Sequence, residues 1–386
     1  MDQSKRNFIK NVGLLGATGM IAGTQSASGQ LVNAGAQSDT VFNVKEFGAK
    51  GDGTTPDSDA IQKALDEAGK VQGTAYFPSG NYKCHDLKVH PYTTVLAVPQ
   101  WAYGPGQGAI LTIDSEDADC VLDISQGFGC HIRGVTLRGT RNAKKIQHGI
   151  FQNHPSEFSK RENSPIIDEV SVNGFSGHGM YLLRIWVFII RHSIFMSNGG
   201  HGVCIYGWDG FVHDNQFANN GKSGFGSEQE GSMVMFTANR VEWNKEYGLH
   251  LERSYAWNVT GNNFDHNWGA GIHINRVSNS TFTGNVFRRN GNDATKLMEG
   301  EDESCHMIIQ GCRGISVTGN TGGAGRDDRG QGAPKPNYAF WMKDNNCSTI
   351  VANAFSRGYL KGLTVDKGGN VNDFVFQFNV GSIFET

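Results

Sequence analysis

Two tetrapeptides in the second half of the chain carry the side chains best suited to moving protons. His250-Leu251-Glu252-Arg253 is followed 23 residues later by His273-Ile274-Asn275-Arg276, with imidazole, side-chain oxygen and guanidinium at the same offsets. An imidazole beside a carboxylate exchanges protons near neutral pH, and a neighbouring guanidinium binds an anionic group through charge-assisted hydrogen bonds. Tyr206 and Glu228 stand at the Glu252 position of two earlier repeats, and Arg184 stands at the Arg253 position of another. The candidate catalytic residues are therefore His250, Tyr206, Glu252 and Glu228. The candidate substrate-binding residues are Arg253, His273, Asn275, Arg276 and Arg184.

This set suits β-elimination on a uronic-acid sugar, cleaving a glycosidic bond or expelling water. That reaction needs donors for the charge developing on the carboxylate, a base for the C5 proton and an acid for the leaving oxygen. Arg253 or Arg276 with Asn275 supply the first, and His250 and Tyr206 supply the other two. Hydrolysis through Glu228 and Glu252 is the runner-up, with the carboxylate separation setting retention or inversion. A non-catalytic carbohydrate-binding protein would need only aromatic platforms such as Trp208, Trp243 and Trp268. Epimerases and transferases are the remaining enzyme classes that such residues serve. A solvated polar face with weak surface ion pairs is the plain alternative, but it gives no reason for two histidines in register. His250, Glu252 and His273 could also hold a divalent cation such as calcium. No thiol joins them and their spacing is that of a repeat, so no metal ligand is assigned.

The elements that must position these groups are read from the repeat itself. Asn198, Asn220, Asn244, Asn267 and Asn290 are 22, 24, 23 and 23 residues apart. Five positions before each stands Ser193, Asn215, Asn239, Asn262 or Asn285, and three before each an apolar residue: Phe195, Phe217, Val241, Phe264 or Phe287. Gly202, Gly224, Gly248 and Gly271 then open short alternating strands. Such a period belongs to a solenoid, and strands of this length in it predict an all-β, single-stranded, right-handed parallel β-helix. Rungs at strand spacing put like residues above one another, so Phe stacks inward and Asn forms an amide ladder. The glycines are expected at corners needing φ > 0. Val203/Ile205, Phe225/Ser227, Leu249/Leu251 and Ile272/Ile274 must face in. The outward columns are then Tyr181, Cys204, Gly226, His250, His273, and beside it Leu183, Tyr206, Glu228, Glu252, Asn275, Gln310.

Composition narrows the partners. The 52 glycines and 9 prolines suit many tight corners. A net charge of −3 gives no global basic field for nucleic acid, so an anionic carbohydrate must meet a local cluster of Arg and His. No apolar run is long enough to span a membrane. The seven cysteines are scattered without a CxxC pair. Cys305 and Cys312 flank one strand and are the only pair considered for a disulfide, the others reading as buried thiols.

At the N-terminus, Ser4-Lys5-Arg6-Asn7-Phe8-Ile9-Lys10 precedes an apolar stretch at 12–23 and small residues at 24–28, which reads as an export signal. Lys5 stands where a twin-arginine motif has its first arginine. Cleavage after Ser28 or Ala36 leaves a β-helix domain over 37–386, periplasmic or secreted. Asp57 or Ser58 caps a helix over 58–68 with Ile61, Ala64 and Leu65 on one face, and a strand follows at 74–77. Residues 142–165 are polar and irregular and read as a loop, with rungs resuming at Ile166. Two further excursions, 292–303 and 322–336, are expected to leave at corners and wall a groove.

The opening then becomes specific. Phe47-Gly48-Ala49-Lys50-Gly51-Asp52-Gly53, Asp57-Ser58-Asp59-Ala60-Ile61-Gln62 and Phe77-Pro78-Ser79-Gly80-Asn81-Tyr82 resemble the start of pectate-lyase-like proteins related to glycoside hydrolase family 28. The resemblance implies a single right-handed β-helix with an N-terminal capping helix, acting on polysaccharide. Polygalacturonases of that family use Asn-Thr-Asp, Asp-Asp, Gly-His-Gly and Arg-Ile-Lys. Gly177-His178-Gly179 and Gly200-His201-Gly202 match the third, but their second glycine is the rung corner and neither acidic motif precedes them. Asp327-Asp328 falls in a loop, and Arg184-Ile185 is followed by Trp186.

Overall fold

Three strands per turn follow from the repeat. An alternating segment after the corner glycine gives the first, and a bend and a second alternating segment give the next. The apolar residue before the ladder Asn centres the third. The computed structural model describes residues 40–104, 106–157, 160–227, 229–292, 302 and 304–385. The export reading of 1–36, Glu228 and most of the 292–303 excursion lie outside them. Residues Thr40–Thr386 form one unit. Among the described residues no helix is long and apolar enough to cross a membrane.

The strands stack in parallel into three faces. The first and second faces join in one 23-stranded sheet, because Met180–Arg191 and Val203–His213 run unbroken through both. The third face is a 13-stranded sheet containing Gln216–Ala218, Arg240–Glu242 and Asn263–Asp265. The inward set is as expected: Val203, Phe225, Leu249, Leu251, Ile272, Ile274 and Ser227 are all fully buried. Phe195 stacks on Phe217 at 5.4 Å between centroids and Phe264 on Phe287 at 5.3 Å, with Val241 filling the rung between.

Two amide ladders hold the corners. Asn220 donates from Nδ2 to Asn244 Oδ1 at 2.9 Å, and Asn244 to Asn267 and Asn267 to Asn290 at the same distance. Each Oδ1 also accepts the previous rung's asparagine N–H, so buried backbone donors that no strand can satisfy are paired. The second ladder starts at Ser193 and Asn215, passes Asn285, and continues through Asn320 and Asn353 to Asn379. Insertions had hidden its last three members by lengthening the period.

The corner glycines correct an expectation. Gly202, Gly224, Gly248 and Gly271 are absent from the positive-φ residues. A Cβ at Gly224 would instead meet Asn244 Nδ2 at 2.9 Å and the Gly248 carbonyl at 2.9 Å. Glycine is there so that the amide ladder and the next rung can pass. The left-handed corners are filled by Ser197, Asn219, Trp243, His266 and Arg289, each one residue before a ladder Asn.

Two boundaries also differ. A strand, His148–Asn153, lies inside the expected 142–165 loop; buried Gln147, His148 and Gln152 had masked its apolar alternation. The capping helix runs Ser58–Val71 with Ile61, Ala64, Leu65 and Ala68 buried. Asp57 precedes it without a side-chain cap, its carboxylate instead accepting the Lys50 N–H at 2.6 Å and the Gly51 N–H at 3.1 Å. All seven cysteines are free thiols. Cys305 opens an extended strand and Cys312 follows its end, roughly 20 Å on, beyond the reach of a disulfide.

Candidate functional site

The outward columns on the first face fall where the repeat put them. Tyr181 pairs with Cys204, Cys204 with Gly226, Gly226 with His250, and His250 with His273. In the neighbouring column Leu183 pairs with Tyr206, and Glu252 with Asn275 and then Gln310. Beyond the strand ends, Arg184, Arg253 and Arg276 take left-handed φ values of 58°, 45° and 54°, turning the chain toward the second face.

His250, Glu252, His273 and Asn275 form one cluster. His250 Nε2 lies 3.1 Å from Glu252 Oε1, and Asn275 Nδ2 donates to Glu252 Oε2 at 3.0 Å. The two imidazoles stack at 4.8 Å and 17°. Tyr247, which sequence reasoning missed, packs its ring 4.4 Å from His273 and 5.1 Å from His250. Its only sequence mark is its place before a corner glycine, where other repeats carry His201, Ser223 and Ala270. Burial first, and the neighbouring His250 second, push the His273 pKa down to about 3, so this ring is neutral. The Nδ1 atoms of both rings are buried without a hydrogen-bond partner. The hydrogen-bonding edge of the cluster is therefore Nε2, where His250 meets the Glu252 carboxylate.

Tyr206 is not part of that cluster. One rung, contributing Gly226, separates it from His250, so the two lie about 9–10 Å apart along the axis. A base and an acid on one sugar must both reach it, so the pairing of His250 with Tyr206 asks their side chains to span those two rungs. Tyr206 belongs to a second patch. It packs edge-on to Trp208 at 5.1 Å and lies under the Arg184 guanidinium at 5.9 Å. Arg184 Nη1 donates to Asn153 at 2.7 Å, and Trp186 Nε1 to Asp209 at 2.8 Å. Arg184 is thus three rungs from Arg253 and does not share its ligand position. Arg253 donates from Nε to the Gln229 carbonyl at 3.3 Å.

Other sequence candidates resolve into structure. Nδ1 of His148, His178 and His201 accepts the N–H of His178, His201 and Ser223 respectively, at 2.9 to 3.1 Å. A neutral imidazole accepting at Nδ1 carries its proton on Nε2. These stacked rings therefore offer no lone pair to a metal, although His178, His201 and Cys204 lie close enough for one. The Gly-His-Gly pairs are corner ladder elements, as the internal alignment implied. Asp327 pairs with Lys335 and Asp328 with Arg289, tying down their loop. Trp243 stacks on His266 at 3.9 Å and Trp268 lies under Lys245, at the corner between the third and first faces. Trp208 lies at another corner, so the three tryptophans make no common platform. His250, Glu252 and His273 do present ligating atoms within 4.8 Å of one another. Two imidazoles suit a transition metal better than calcium.

Known proteins agree with this architecture. The pectate-lyase-like family described as rhamnogalacturonase A/epimerase matches residues 41–97, the opening segment singled out above. Alginate lyase 7 of Azotobacter vinelandii is 31% identical over 200 residues, covering 48% of this chain and 23% of that protein. The mannuronan C5-epimerase AlgE5 of the same organism is 27% identical over 225 residues, covering 55% of this chain and 22% of that one. The chain thus spans about a quarter of the length of these relatives. The A-module of the A. vinelandii mannuronan C5-epimerase AlgE6 superposes with a TM-score of 0.60 at 18% identity, over 86% of this chain and 99% of the module, which supports the fold. With the family described as the right-handed β-helix region matching residues 148–325 and 227–382, more than half of its length, the chain belongs to the right-handed β-helix family.

Proposed function

We propose that the protein acts on a polyuronate chain lying along the outward columns of the first face, by removing the C5 proton of a uronate residue. The observation that carries this reading is the His250–Glu252 pair, braced by Asn275 and flanked by Arg253 and Arg276 at the strand ends. The pair accepts the C5 proton. The arginines neutralise the carboxylate on whose oxygens charge accumulates, the part of such a reaction that costs most in water. In elimination the C5–H electrons form the C4–C5 double bond, the bond to the O4 oxygen breaks, and the pair returns its proton to that oxygen. Tyr206, Trp208 and Arg184, two to three rungs away, bind a neighbouring sugar of the same chain. The relatives named as an alginate lyase and as mannuronan C5-epimerases support a uronate polymer as substrate.

The same names favour a second reading, epimerisation. It begins with the same proton abstraction, and reprotonation from the opposite face replaces loss of the O4 oxygen. A secreted or periplasmic location, read from residues 1–36, fits a polymeric substrate met outside the cytoplasm. The test is incubation with mannuronan, alginate and polygalacturonate in deuterated water, following ultraviolet absorbance, reducing ends and C5 deuterium. Absorbance rising with new ends identifies elimination, and deuterium at C5 of an uncut chain identifies epimerisation. Reducing ends without either would replace this reading with hydrolysis. Activity retained in full by His250→Ala and Glu252→Gln would remove the site from this face.

A further inference from the structure

A second cluster of ligating side chains lies at a different corner, between the second and third faces, and plays no part in the chemistry above. Glu169, His192 and Asp214 occupy this corner on three successive rungs, with φ of 54°, 47° and 56°. With Pro99, Gln100 and Trp101 they line a cavity of about 490 Å³. His213, the strand residue before Asp214, completes the group. One ligating atom from each of His192, His213 and Asp214 lies within 4.8 Å of the others.

The geometry points to a binding site here for a divalent transition cation of the zinc class, held by His192, His213 and Asp214. His192 is already oriented as a ligand. Its Nδ1 lies 2.9 Å from Asp168 Oδ1, which leaves Nε2 as the atom it can offer. Asp168 is in turn fixed by Arg191 at 2.8 Å and is buried. A carboxylate holding the far nitrogen of a histidine is the usual outer support of a metal ligand. His213 Nδ1 stands 2.9 Å from Asp214 Oδ2, close to the ligand–ligand distance of about 3.3 Å in a tetrahedral site with bonds near 2.0–2.1 Å. The side chains of His192 and Asp214 are 48% and 53% exposed, so the ångström or so of closure needed is within their freedom. Asp168 and Glu169 are paired with Arg191 and Arg133, whereas the Asp214 carboxylate meets a histidine, His213, so its charge is the one offered to a cation. Two imidazoles and one carboxylate select zinc-like metals over calcium or magnesium. The fourth position opens into the cavity beside Trp101, where water or a ligand oxygen can complete the shell.

The experiment uses the full chain, stripped with chelator and titrated with zinc by calorimetry. Equilibrium dialysis with metal analysis gives the stoichiometry, and cobalt(II) absorption in the visible reports the ligand field. The corner cluster predicts a zinc that the His192→Ala/His213→Ala double variant binds at least about 100-fold more weakly. Asp168→Asn should lose about 10–100-fold, the cost of an outer support. Circular dichroism melts confirm that each variant is folded. His250→Ala should keep the zinc. No zinc on the wild-type chain, undiminished affinity in the double variant, or zinc lost in His250→Ala instead would each overturn the assignment.

Discussion

Replacing Asn244 by leucine tests the ladder that keeps the first-face columns in register. Asn244 Oδ1 accepts from the Asn220 backbone N–H at 3.1 Å and from Asn220 Nδ2 at 2.9 Å. Its Nδ2 donates to the Phe217 carbonyl at 3.1 Å and to Asn267 Oδ1 at 2.9 Å. Leucine leaves the Asn220 N–H and one of its two Nδ2 hydrogens without partners in a site with no solvent access, the other Nδ2 hydrogen keeping the Phe195 carbonyl, whereas Asn267 Oδ1 keeps the residue-244 backbone N–H. Two orphaned buried donors at about 1–3 kcal/mol each give a loss of about 4 kcal/mol. With an unfolding entropy of about 2.1 cal/mol/K per residue, that is a fall in melting temperature of roughly 5 °C for a domain of this size. Calorimetry and urea titration read it directly. Asn379→Leu, at the partly exposed last step of the second ladder, should cost about a quarter as much. A melting temperature unchanged by Asn244→Leu, or equal losses in the two variants, would refute the ladder argument.

Loss of the proposed acid–base pair should make His250→Ala and Glu252→Gln each about 10²–10⁴ slower in turnover, with Tyr206→Phe mild in turnover and visible mainly in KM. Arg253→Ala should weaken uronate binding, most at low ionic strength where screening is least, and binding isotherms at two salt concentrations check this. Burial lowers the pKa of His148 to about 4 and of His273 and His306 to about 3. These rings stay neutral in the fold while the unfolded chain protonates near pH 6.5. Stability is therefore complete above that pH and falls by about 1.4 kcal/mol per pH unit for each ring down to its folded value; His306→Gln should flatten the slope of melting temperature against pH by one ring's share. Six of the seven thiols are buried and only Cys347 is exposed, so a native thiol titration should find one fast group, absent in Cys347→Ser.

What could be read from the sequence was whatever repeats. The outward columns, the inward set and the ladder from Asn198 to Asn290 were legible because a rung imposes the same environment at the same offset each time. The missed features lack that periodic mark. The strand His148–Asn153 carries buried polar residues, which cancels the alternation that announces a strand. Tyr247 shares a column with Ser223 and Ala270, so nothing in its own repeat sets it apart. His192 and Asp214 do share a column, 22 residues apart, but at a corner rather than on a strand, where outward direction is set by a single left-handed residue. The third ligand, His213, comes from the adjoining strand. That Tyr206 and His250 stand two rungs apart is likewise a matter of rung count, legible from the repeat.

Two histidines in register looked, from sequence, like a mark of chemistry, and the structure holds a second such column that shows why repetition alone is a poor guide. His148, His178 and His201 stack at centroid distances of 5.2 Å, much as His250 and His273 do. Yet the first column is structural, each Nδ1 taking the next rung's backbone N–H, which fixes the tautomer and leaves the ring no proton to exchange at that atom. In the second column neither Nδ1 has such a partner, and the Nε2 of His250 faces a carboxylate from its own strand. What separates the two columns is where the ring nitrogens go. A backbone donor satisfies the first column at Nδ1, whereas in the second column the His250 ring turns its Nε2 to the Glu252 carboxylate, the arrangement on which the proposed proton transfer rests.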